Sequence, residues 1–90
     1  MAVQSLTRLQ LSMLLVLAID GGWMHYADVG VALRPRATVP ELHRLNETCA
    51  ALVRRGLARE HPIHLRSYQA TGEGVRWLME RAHVWAGKLV

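Results

Sequence analysis

The chain has 90 residues, enough for one small domain with a single modest core. Apolar residues make up 51% of it and charged residues 20%, a globular composition that excludes an intrinsically disordered chain. The formal net charge is +4, and the lone cysteine, Cys49, excludes an internal disulfide and any metal-type cysteine spacing, which favours a reducing, cytoplasmic setting.

A first helix is expected from about Thr7 to Ile19. Leu6, Leu9, Met13, Val16 and Leu17 form one apolar stripe, and Leu11, Leu14, Leu15 and Ile19 widen it, so the helix should be covered on several sides. Arg8 ahead of the apolar run imitates a signal peptide. The run is too short to span a bilayer, and it leads into Asp20-Gly21-Gly22-Trp23 without a small-x-small cleavage site. A core helix is the expected reading, with no membrane partner. Gly21-Gly22 supplies the stop, and Trp23-Met24-His25 is a candidate for a short first strand.

Tyr26 to Leu33 reads as a second helix, with Tyr26, Val29 and Leu33 on one face. Gly30 weakens it by about 1 kcal/mol relative to alanine, which is tolerable if another helix packs closely there. Arg34-Pro35-Arg36-Ala37 forms the turn, because Pro35 bars continuation of the helix. Thr38-Val39-Pro40-Glu41 then reads as a capping box, Thr38 at the N-cap and Glu41 three residues on.

The third helix is expected over about Val39 to Arg55, with Leu42, Leu45, Cys49, Leu52 and Val53 inward. Its outer face carries Val39, Pro40, His43, Arg44, Glu47, Ala51 and Arg54. Gly56 ends it and Leu57 plugs the core. Leu57–His61 and Leu65–Ala70 make a hairpin about a short connection, His61-Pro62-Ile63-His64, with Tyr68 and Ala70 inward. Thr71 and Glu73 open a last helix whose apolar side is expected to be Val75, Leu78, Met79, Ala82, Trp85, Ala86 and Leu89. Trp77 and Val84 lie off that stripe, leaving surplus apolar surface of the kind that marks a partner site.

The stretch from Leu52 to Leu78 carries a recognisable layout: helix, Gly56-Leu57, short hairpin, the Y-x-x-T-x-x-G of Tyr68, Thr71 and Gly74, and a new helix. This layout resembles the back half of a winged helix-turn-helix domain of the PadR-like and MarR-like transcriptional regulators. With the front half, the resemblance covers the whole chain. It implies a mainly α chain with a small β-hairpin (α+β), about four helices plus a short wing, in a single domain over 1–90. It also implies a small dimeric regulator of double-stranded DNA, with the helix over 38–55 in the major groove. Residues 1–20 and 72–90 are the expected dimerisation helices, through Leu11, Leu15, Trp77, Leu78, Val84, Trp85 and Leu89. The wing departs from the long, basic, glycine-rich wing of many MarR-like proteins.

Charge distribution sharpens that expectation. Residues 34–66 hold seven arginines (Arg34, Arg36, Arg44, Arg54, Arg55, Arg59, Arg66) against three acids (Glu41, Glu47, Glu60), a surplus equal to the net charge of the whole chain. Arginine suits phosphate and guanine recognition. Arg34, Arg36, Thr38, Val39, Pro40, His43 and Arg44 surround the turn and the first half of the third helix, and are the expected DNA-contacting residues. Arg59 and Arg66 on the wing are expected on backbone phosphates. Arg54 and Arg55 already suit the negative end of the helix and are given little reading role.

Other chemistry is set aside. His61 and His64 are the only histidines close in sequence, and zinc needs three or four converging ligands. No nucleophile motif, Walker A or G-x-G-x-x-G is present, and Cys49 falls on a core face. No enzyme activity, metal or cofactor is expected. The rival reading is a winged-helix protein-interaction module with a protein partner, or a phage or plasmid accessory protein of recombination or partition.

Overall fold

A computed structural model of the chain describes residues 6–36 and 38–89, with side chains as far as residue 81. Four helices and a small sheet follow in the order α1 (Arg8–Asp20), β1 (Met24–His25), α2 (Tyr26–Leu33), α3 (Val39–Arg54), β2 (Ala58–Glu60), β3 (Ser67–Ala70) and α4 (Gly72–Leu89). The three strands are antiparallel in the order β1-β3-β2, so β3 is central. Met24 faces Tyr68 on one side, and Ala58 and Arg59 face Ala70 and Gln69 on the other.

Local chemistry sets the helix ends. Thr7 and Gln10 form a reciprocal capping box: the Thr7 hydroxyl accepts from the Gln10 N–H at 3.1 Å, and the Gln10 side chain accepts from the Thr7 N–H at 3.0 Å. At the other end of α1, the Gly21 N–H donates to Leu17 O at 3.0 Å. The box expected at α3 does not form. Thr38 sits at the N-cap position, but its side chain makes no capping hydrogen bond. Pro40 removes the second helical N–H as a partner, and the Thr38 hydroxyl does not take up the third, that of Glu41. Only the Thr38 carbonyl takes part, accepting from the Leu42 N–H at 3.0 Å.

The C-terminus of α3 closes in a Schellman motif, with Arg55 as the C-cap and Gly56 one residue beyond the expected end. Gly56 adopts φ +75°, its N–H donates to Val53 O at 2.9 Å, and the Leu57 N–H donates to Leu52 O at 3.0 Å. Leu52 and Leu57 are both buried, the apolar contact that completes the motif.

The core draws on every helix and the sheet: Met13, Leu14 and Leu17 from α1, Val29 from α2, Leu45, Cys49 and Leu52 from α3, with Leu57, Ala58, Tyr68 and Leu78. The close packing expected at Gly30 is present. A Cβ there would lie 2.7 Å from Leu42 Cδ2 and 2.9 Å from Leu45 Cδ1, so α2 and α3 approach through this residue.

Two faces differ from expectation. On α1 the fully buried residues are Met13, Leu14 and Leu17, while Ile19 is exposed. On α4 the inward residues are Gly74, Trp77 and Leu78, while Val75 and Met79 are exposed, Met79 at 70%. The cause is Gly74, where a Cβ would lie 2.1 Å from the Leu57 carbonyl oxygen. That contact sets the rotation of the helix, and the residues three and four places on must share its face. Ala82, Trp85, Ala86 and Leu89 of the expected stripe lie outside the described side chains.

Candidate nucleic-acid interface

The first half of α3 presents Val39, Pro40, Glu41, His43, Arg44 and Glu47 to solvent, opposite Leu45, Cys49 and Leu52. Val39 is 66% exposed although apolar. Arg34 and Arg36, either side of Pro35, lie exposed in the turn that leads into this helix. Ala37 lies outside the described residues. Among the described residues, the guanidinium groups of Arg34, Arg36, Arg44 and Arg66 make no hydrogen bond or ion pair. Arginines left unpaired by the protein's own carboxylates have their donors open to an external anion.

The wing arginines differ from each other. Arg59 is held in place: Nε and Nη2 both reach Gln69 Oε1, the former at 2.9 Å, and the guanidinium carbon lies 5.0 Å from the Trp23 ring centroid. His61 meets the same indole edge-on at 4.8 Å. Gln69 in turn donates to Gly21 O at 2.9 Å, joining the wing root to the end of α1. The pairing depends on the Arg59–Gln69 register, which the sequence alone does not reveal. Arg66 has φ +65°, an uncommon conformation for a residue with a Cβ. Its N–H donates to Glu60 Oε2 at 2.7 Å and its carbonyl accepts from the Tyr26 N–H at 2.9 Å, docking the wing on the start of α2.

No family model, curated protein or solved structure matches this chain.

Two histidines act through Nδ1 as backbone acceptors. His25 caps α2 by accepting from the Ala27 N–H at 3.2 Å, and His61 accepts from the Ile63 and His64 N–H groups at 3.0 Å each. Cys49 is fully buried, and burial pushes its thiol up to about 12. Burial also pushes the Tyr68 phenol up to about 12, with the Glu60 charge adding to the effect. Its hydroxyl donates to Asn46 Oδ1 at 2.8 Å, a partner with no signature in the sequence.

The expected dimer residues divide into three groups. Leu78, 6% exposed, belongs to the protein's own core and so cannot serve as a surface contact. Leu11 and Leu15 are half-buried against that core, as is Trp77, whose ring lies 3.9 Å under Arg81 and whose buried indole N–H has no partner among the described residues. Val84, Trp85 and Leu89 lie outside the described side chains. Among the described residues, no helix is long and apolar enough to cross a membrane.

Proposed function

We propose that the chain binds double-stranded DNA as a small dimeric winged helix-turn-helix regulator, with α3 in the major groove. The observation that carries this reading is the exposed, unpaired Arg34–Arg36–Arg44 group around the start of α3. The element order, with β1 pairing β3 beside the β2–β3 hairpin, suits a winged helix-turn-helix, as does the close α2–α3 approach at Gly30. Val39 offers an aliphatic surface suited to a thymine methyl, His43 and Arg44 offer donors to base edges, and Arg34 and Arg36 offer phosphate contacts.

A salt titration of binding to random duplex DNA tests the proposal. Affinity should fall steeply as salt rises, because each neutralised phosphate releases counterions. Absence of binding at low salt would leave the protein-interaction module as the better reading. The exposed Val75–Met79 edge of α4 offers apolar surface to a second copy of the chain, beside the half-buried Leu11 and Leu15 of α1.

A further inference from the structure

Ser67, the first residue of the central strand, has a histidine on each side of it. On one side His25 faces it across the β1–β3 ladder. On the other, the His61 N–H donates to the Ser67 carbonyl at 2.8 Å. Both histidines use Nδ1 to accept backbone N–H groups a few residues ahead in the chain. His25 takes the Ala27 N–H at 3.2 Å as the N-cap of α2, and His61 takes the Ile63 and His64 N–H groups at 3.0 Å each. Asparagine, aspartate and serine are the ordinary choices for such caps and turns, and none of them changes its charge between pH 5 and 8.

The imidazole fills this place only while it is neutral. A neutral ring has one nitrogen free to accept, and an imidazolium ring has none, because both nitrogens then carry hydrogen. Protonation of His61 therefore leaves two N–H groups without their acceptor and turns a third donor toward them. Protonation of His25 removes the cap of α2 and sets a positive charge against the positive end of that helix. Neither ring is sealed from water, His25 being exposed and His61 half-buried.

The charged and titratable groups around the two rings do not favour the protonated forms strongly enough to reverse this. Beside His61 stand Arg59, which shares the Trp23 ring with it, and His64, whose ring centroid is 4.6 Å away. Both oppose a further positive charge. The neighbouring Glu60 carboxylate already accepts from the Arg66 N–H, and Asp20 at the end of α1 accepts from the Gly22 N–H. Beside His25 stand Tyr26, at 4.6 Å from ring to ring, and Asp28 in the first turn of α2. Among the described residues no ion pair joins either histidine to an acid. The same corner docks the wing, since the Tyr26 N–H donates to Arg66 O at 2.9 Å and Arg66 holds φ +65°, a conformation its surroundings must maintain.

We propose that His25 and His61 form a paired, acid-sensitive latch. It holds the wing root, residues 58–67, against the start of α2 while both rings are neutral, and releases it as they take up protons between about pH 8 and pH 5. The stability it contributes is complete above that window and is lost as pH falls through it. The core and the Tyr68–Asn46 bond use neither ring, so the opening is local. The latch works whether or not α3 reads DNA.

Amide NMR of the whole chain across that pH range tests the latch, with His25→Asn, His61→Asn and the double variant beside the unmodified protein. Asparagine offers an acceptor at the same places and does not titrate. In the unmodified protein the Ala27, Ile63 and His64 N–H signals should move upfield as the pH falls, and the melting temperature should drop. His61→Asn should hold the Ile63 and His64 signals in place, His25→Asn should hold that of Ala27, and the double variant should lose the drop in melting temperature. The same acid shifts in the asparagine variants, or a drop that persists in the double variant, overturn the latch. Where an asparagine variant fails to fold, the imidazole nitrogen signals of the unmodified protein decide alone. Protonation of His25 and His61 must then coincide with the three amide shifts, and protonation without those shifts overturns the proposal.

Discussion

The Tyr68 hydroxyl donates to Oδ1 of Asn46 at 2.8 Å, tying the central strand to the middle of α3. The sheet thus orients the helix that carries the candidate reading face. Tyr68 belongs to a three-residue pattern in which each member has a structural task. Thr71 donates to Gly56 O at 2.7 Å and accepts from the Gly74 N–H at 3.0 Å, joining the end of α3 to the start of α4. Gly74 allows α4 to lie directly on the Leu57 carbonyl. The Y-x-x-T-x-x-G signature is a packing device.

Tyr68→Phe should therefore destabilise the protein while leaving the outer surface of α3 unchanged. The part-buried Asn46 amide loses its partner, which costs about 0.5–1.5 kcal/mol. Urea denaturation should show a lower midpoint with an unchanged slope. An unchanged midpoint would mean that water satisfies Asn46 equally well.

The two buried glycines should respond differently to alanine. At Gly30 the new methyl meets the flexible ends of Leu42 and Leu45, and the gain in helix propensity, about 1 kcal/mol, offsets much of the crowding. At Gly74 it meets backbone at 2.1 Å, which side-chain motion cannot relieve. Gly74→Ala should cost about 1–3 kcal/mol or more, and Gly30→Ala distinctly less. Thermal melting of both variants checks the order, and a reversed order would mean that α4 is not seated by Leu57.

These contrasts show what the sequence makes legible. The bounds of α2 are readable because Gly22 and Pro35 bracket a short apolar pattern, and the outer face of α3 follows from the spacing of Leu45, Cys49 and Leu52. The rotation of α4 is not readable, because Trp77, Leu78 and Met79 are all apolar and a tertiary contact at Gly74 chooses among them. Arg59 looks like a free cation until strand register places Gln69 and Trp23 against it. Ile63 and Leu65 lie in a turn with no periodicity, so their exposure has no sequence signal.

Alkaline pH should weaken the fold from about pH 9 upward. The Cys49 thiol rises from its ordinary 9.0 to about 12, and the Tyr68 phenol from 10.0 to about 12. Between the ordinary and raised values the unfolded chain has lost a proton that the folded chain keeps. Stability therefore falls as pH rises, by about 1.4 kcal/mol per pH unit for each group in its window. Cys49→Ala should move the onset toward pH 10. Chemical denaturation across this range checks the slope, and a flat profile would place both groups in water.

If α3 reads bases through Arg44, Arg44→Ala should cost about 1–3 kcal/mol on a selected site and less on random duplex. Equal loss on both would make Arg44 a phosphate contact. Neutralising Arg34 and Arg36 together should flatten the slope of log affinity against log salt by about two units with sequence preference intact. An unchanged slope would mean that these groups point away from the DNA.

The proposed homodimer should form through α1 and α4, and the outward edge of α4 is the part that a single substitution tests without disturbing the core. Met13, Leu14 and Leu17 are fully buried, and Leu11 and Leu15 are half-buried beside them. Val75 and Met79, four residues apart on one side of α4, are left outward. A two-fold pair built on that edge would suit half-sites about one helical turn apart. Met79→Glu places a charge at the centre of the edge without touching the core, so the variant should fold and dissociate. Light scattering checks both proteins: the unmodified chain should exceed the 10.1 kDa of a single copy at micromolar concentration, and the variant should match it. A single-chain mass for the unmodified protein would sink the dimer and leave the Val75–Met79 edge to a different partner.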